Sequence, residues 1–148
     1  MFLKAINTKF ETMAINTQTI TWDMLRIGCG LMMVVGHGYG KMFGEKARPF
    51  LGGLDFFGID LGVNMMWVAG FIEFYIGILI ILGLFTRWAA LLTATLMVMA
   101  YLSSHLAWFP TFNGGELATV YFLIFITIVA YGPGPFSLDA KLFGNKSE

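Results

Sequence analysis

A chain of 148 residues with 57% hydrophobic and only 12% charged residues, and a mean hydropathy of +0.75, falls far below the roughly 25% charge of a soluble domain. It cannot cover its own surface in water, so it reads as an integral membrane protein of one domain, with the lipid bilayer as its first partner. The net charge is zero, which argues against nucleic acid and against long-range electrostatic steering of a partner. Cys29 is the single cysteine, so an internal disulfide and a cysteine-built metal cluster are excluded.

Residues 1–21 are polar, with Lys4, Lys9 and Glu11, and lack the apolar core of a cleavable signal. They read as an extramembrane tail or a surface helix. Four apolar runs follow, at 22–43, 63–85, 88–108 and about 117–131. About 20 apolar residues span a bilayer as a helix, and only helices or closed barrels satisfy the backbone there. None of the runs alternates as barrel strands do. The expected fold is therefore all-α, a bundle of four transmembrane helices. Trp22, Trp88, Trp108 and Tyr131 stand at run ends, as an aromatic belt requires.

The connections differ in kind. Leu84 to Arg87 is a tight turn between the second and third runs, and Pro110 and Gly114 separate the third from the fourth. The longer segment 44–62 carries Pro49 and then Phe50, Leu51, Leu54, Phe56 and Phe57. Proline favours a helix start, and the aromatic content predicts an interfacial half-helix between helices one and two. With four spans, Lys4, Lys9, Arg87, Lys141 and Lys146 share a side, against Lys41, Lys46 and Arg48 on the other. The positive-inside rule then puts both termini in the cytoplasm.

Glu73 sits near the middle of the second run, where a charged side chain costs roughly 2.5–3.5 kcal/mol. At 100° per residue Arg26, Gly30, His37 and Lys41 fall on one stripe of the first helix. Glu73 shares a face with Gly70 and Gly77, and His105 lies one turn after Tyr101 on the third helix. Glu116 opens the fourth. In the predicted topology His37, Lys41, Glu73, His105 and Glu116 belong to the outer half of the bundle. A single polar pocket is expected there, while Arg26 and Arg87 belong to the inner end as anchors or helix caps.

These residues resemble the DoxX family of small four-helix membrane proteins. The resemblance covers residues 25–139. It rests on Arg26 ahead of His37, Gly38 and Lys41, on Glu73 with Gly77, and on Gly83-Leu84-Phe85-Thr86-Arg87. His105, Gly115-Glu116 and the Gly-Pro-Gly-Pro-Phe-Ser-Leu-Asp run at 132–139 complete it. It divides the chain into a tail at 1–21, a membrane domain at 22–139 and a C-terminal tail at 140–148. What it implies is a four-helix bundle in a prokaryotic cytoplasmic membrane, and, as in some members, a subunit of a quinone-reducing oxidoreductase. It implies no haem, flavin or iron–sulfur centre, and the chain carries no motif for one.

Two readings of each site residue stand side by side. Glu73 is a proton acceptor or quinol ligand, or a structural carboxylate paired with Lys41. His37 hydrogen-bonds a quinone carbonyl, or merely packs at the interface, and the same choice holds for His105. Lys41 pairs with Glu73 or Glu116, or snorkels to the interface. Tyr101 joins the ligand-binding set through its turn with His105. Two histidines with Glu116 would suit zinc, iron or copper, but no H-x-x-x-H spacing supports it and no metal is assigned. Ser137-Leu-Asp139 reads as a turn.

The function expected is a redox-associated membrane subunit with a quinone or quinol pocket. Glu73 and His37 would handle protons, and Lys41, Tyr101, His105 and Glu116 would bind the ligand. Electrons come from a partner oxidoreductase. The alternative is a non-enzymatic accessory or scaffold subunit of a larger membrane complex. A carrier ranks last, since the two halves show no inverted repeat.

Overall fold

The computed structural model describes residues 2–52 and 62–144, with side chains from residue 17 onward. Helix α1 runs over Phe2–Met33, passes through a π turn at Val34–Gly38 and closes as Tyr39–Met42. Helix α2 has the same plan: Met65–Phe71, a π turn at Ile72–Ile76, then Gly77–Leu82. α3 is Thr86–Ser104, α4 is Glu116–Tyr131 and α5 is Leu138–Phe143, with a short 3-10 turn at Pro110–Asn113 ahead of α4. Among the described residues there is no strand, only an isolated antiparallel bridge between Leu51 and Val63.

The helix ends follow from local chemistry. Asn64 accepts the Met66 N–H at 3.0 Å and so starts α2. Gly83, at φ 67°, ends it. There the Leu84 N–H reaches Leu79 O and the Gly83 N–H reaches Ile80 O, the paired bonds of a Schellman stop. Phe85 is left-handed as well, at φ 48°, a conformation unfavourable for a residue with a Cβ. The Asp139 carboxylate holds it by accepting the Phe85 and Thr86 N–H groups, each at 2.8 Å. A remote acid thus caps the start of α3, where helix N–H groups have no partner of their own.

Several boundaries differ from the apolar runs. α1 is helical from Phe2, so the described part of the polar segment 1–21 is helix continuous with the first run. α3 stops at Ser104 rather than near Trp108. His105 leaves helical geometry at φ −130°, and the Tyr101 hydroxyl donates to Ala107 O at 2.9 Å, folding the chain back. Residues 44–52 form turns and bends without helix. The rest of the expected half-helix falls at 53–61, outside the described residues.

The two π turns lie against each other. A Cβ on Gly38 would stand 2.6 Å from the Phe74 nitrogen and 2.8 Å from the Glu73 carbonyl carbon, so only glycine permits this approach. α3 and α4 pack along their length. The core joins Cys29 and Met33 of α1, Ile80 of α2, Ala90, Ala94 and Met97 of α3, and Tyr121, Phe125 and Ile128 of α4. Outward, large apolar side chains such as Val35, Trp88, Leu92 and Leu123 stand exposed, a surface suited to lipid. By length and composition Thr17–Met42 and Met65–Leu82 can cross a membrane, and Glu116–Tyr131 is a shorter apolar helix.

Candidate functional site: an ion pair beside a cleft

Glu73 lies in the π turn of α2, and its carboxylate Oε1 accepts from Lys41 Nζ at 2.6 Å. The two side chains are 6% and 20% exposed. A buried carboxylate needs such a partner, because an unpaired charge out of water is far more costly. Lys41 reaches it because Gly70 leaves room: a Cβ there would sit 2.8 Å from Lys41 Cβ. The second carboxylate oxygen, Oε2, is buried with no hydrogen-bond partner among the described residues. Buried polar atoms are almost always paired; among the described residues Oε2 shares this state with Arg26 Nε and Thr86 Oγ1.

Lys41 also lines a cleft of about 590 Å3 between α2 and α3. Its walls are mostly apolar, with Met65, Ala69, Ile72, Leu96 and Met99 among them, and His105, Ser103 and Ser104 lie at one end. Volume and character are those of a small-molecule pocket, mostly apolar with a few convergent polar groups.

The other expected site residues are dispersed. His105 lines the same cleft as Lys41, and its Nδ1 faces Asn113 O at 2.9 Å. His37 turns from α2 toward α4, where its ring meets Tyr121 edge-on at 5.9 Å. The stripe expected from ideal helix periodicity is broken here, because a π turn carries an extra residue and shifts the register beyond it. Tyr101 holds the 105–115 segment: its ring lies under Gly115, where a Cβ would approach it to 2.6 Å. Glu116 is exposed at the start of α4 and makes no hydrogen bond or ion pair among the described residues. The described residues bring together no group of three or more His, Cys, Asp and Glu side chains able to hold a metal ion.

At the opposite end of the bundle the polar residues build a closed knot. Arg26 is fully buried and donates to Ile80 O and Ile81 O at 2.7 Å, and to Phe136 O and Asp23 Oδ1 at 2.8 Å. It thereby caps α2 and ties down the 132–139 segment. Arg87 does the same for α4 through Val129 O and Ala130 O. Asp23 is the residue that sequence reasoning passes over. Its signal is the spacing of three from Arg26, which places an acid and a base on one helix face.

The family model described as DoxX matches residues 21–106, an interval that holds the knot's arginine, both π turns and the cleft. The chain belongs to the DoxX family. An uncharacterized protein of Haemophilus influenzae is 47% identical over 124 residues, which is 80% of this chain and 88% of that one. No solved structure matches. Family and apolar helices together make this DoxX-family chain a membrane protein.

Proposed function

We propose that this DoxX-family protein is a redox-associated subunit whose four long helices span a prokaryotic cytoplasmic membrane, with both termini in the cytoplasm, and that it seats a quinone headgroup at Lys41 and Glu73. The observation that carries the reading is the ion pair itself: Lys41 forms part of the cleft wall while Glu73 Oε2 has no partner among the described residues. A quinone carbonyl accepts hydrogen bonds, and Lys41 has three donors of which Glu73 takes one. Reduction to the quinol takes two electrons and two protons. The electrons come from a partner oxidoreductase subunit. The Lys41 ammonium can donate a proton to the carbonyl, and the Glu73 carboxylate can accept protons from water and pass them on, so that two are delivered in turn. His105 serves the outer end of the same cleft. His37 steadies the α1–α4 contact, Tyr101 fixes the 105–115 segment, and Glu116 stands exposed at the start of α4.

A second reading is an accessory subunit that docks a larger membrane complex. One observation favours it: Phe50 of the 44–52 segment joins Trp67, Phe71 and Tyr75 of α2 in a continuous aromatic ladder, with ring centroids 4.7–5.4 Å apart. The test is purification in gentle detergent with mass spectrometry of co-purifying proteins and lipids. Stoichiometric quinone that disappears in Glu73→Gln supports the first reading. A stable complex without quinone, unchanged in Glu73→Gln, supports the second.

A further inference from the structure

The cleft beside Lys41 is closed unequally, and its long side faces outward. At the tight-turn end the Arg26 knot fills the bundle, and none of its residues lines the cleft. Packing between α2 and α3 is concentrated at the π turn and at Gly77–Leu82, next to the turn that joins them. Away from that turn the cleft lies between the two helices. Across the other end runs the 105–115 segment, held by the Tyr101 to Ala107 bond and the His105 to Asn113 contact.

The residues along the gap decide where it leads. Met66, Leu92 and Met99 line the cleft, and yet they are 38%, 43% and 39% exposed. Thr95, between Leu92 and Met99 on α3, is exposed too, and its hydroxyl is used up on Leu91 O. The rim is therefore apolar on both helices and lies on a surface of the kind that meets lipid. Glu73 and Thr95 stand at similar distances along their helices from the turn at 83–85, so the rim is level with the ion pair. A ligand with its polar head on Lys41 has an apolar passage beside it, at the same depth, that opens sideways.

We propose that the site takes a long-tailed quinone from within the bilayer, its tail leaving between α2 and α3 past Met66, Leu92, Thr95 and Met99. This rests on the reading of Lys41 and Glu73 as the headgroup seat. Thr95 and Met99 then determine specificity for the tail and leave the head alone.

The experiment compares a tailless benzoquinone with its decyl-tailed counterpart, titrated into the full chain in lipid nanodiscs. Thr95→Trp and Met99→Trp narrow the passage at two partly exposed residues of the cleft wall. Each is expected to weaken the decyl-tailed quinone about tenfold, the loss of roughly two buried methylenes, and to weaken the tailless one clearly less. Equal losses for both quinones, or no loss for either, would overturn the lateral path while the headgroup seat stands. Wild-type protein that binds neither quinone overturns the seat itself, and the path with it.

Discussion

Lys41 and Glu73 set the energetics at the residue scale. Removing one partner strands a buried charge, while removing both leaves an apolar contact. Lys41→Met should therefore cost on the order of 3 kcal/mol, read as the loss of unfolding free energy in detergent. Lys41→Met combined with Glu73→Leu should recover most of it, and losses that simply add would contradict the pairing. At the other end, Arg26→Ala takes the cation from the buried Asp23 carboxylate and removes the hydrogen bonds to Ile80 O, Ile81 O and Phe136 O. It should cost at least as much, about 3–5 kcal/mol, whereas Arg87→Ala on the exposed rim should cost clearly less. The Lys41–Glu73 contact is legible in the sequence, because a carboxylate at mid-span needs a cation and Lys41 is at reachable depth. The place of His37 is not. Its stripe with Gly30 and Lys41 assumes ideal helix geometry throughout α1, and a π turn has no signature in residue periodicity. Asp23 escapes for another reason. It lies close to the polar tail, where an acid needs no explanation until Arg26 is seen to be buried beside it.

The elements owe their arrangement to close approaches that composition alone only hints at. Gly38 against the backbone of Glu73 and Phe74 lets the two π turns touch, and that contact puts Lys41 over Glu73. Gly38→Ala should strain it by about 1–3 kcal/mol, the usual cost of overpacking, and Gly36→Ala, which meets open space, should be nearly silent in the same melt. The cap on α3 is the other long-range device. Asp139→Ala removes the acceptor for two N–H groups and should cost about 1 kcal/mol, typical of a lost N-cap. A melt that barely moves would show that water replaces the carboxylate. Helix positions are readable from apolar runs because lipid-facing and core-facing residues are both apolar. Their ends are less so: α3 stops at Ser104 through a tyrosine hydroxyl bond, and the Ser-Leu-Asp segment, an ordinary turn in sequence, supplies the cap for a helix more than fifty residues earlier.

For the whole molecule, the two ends have different tasks in this account. One is locked by Arg26, Asp23 and the 132–139 segment. The other carries the pair, the cleft and the 105–115 loop. The membrane character is legible from the scarcity of charge. The gathering of five ionisable side chains in one pocket is not delivered by topology, since equal depth does not mean equal direction: His37 faces α4, Glu116 faces out, and Lys41 and Glu73 meet. With both termini proposed as cytoplasmic, a cleavable tag after Glu148 should resist protease in right-side-out vesicles, and digestion there would invert the orientation. The most direct measurement is quinone binding to the double variant Lys41→Met, Glu73→Leu in nanodiscs, beside wild-type protein of matched stability. Wild type should bind saturably, and the double variant should lose at least about tenfold in affinity, or 1.4 kcal/mol. Equal binding by both would contradict the claim that the pair seats the ligand.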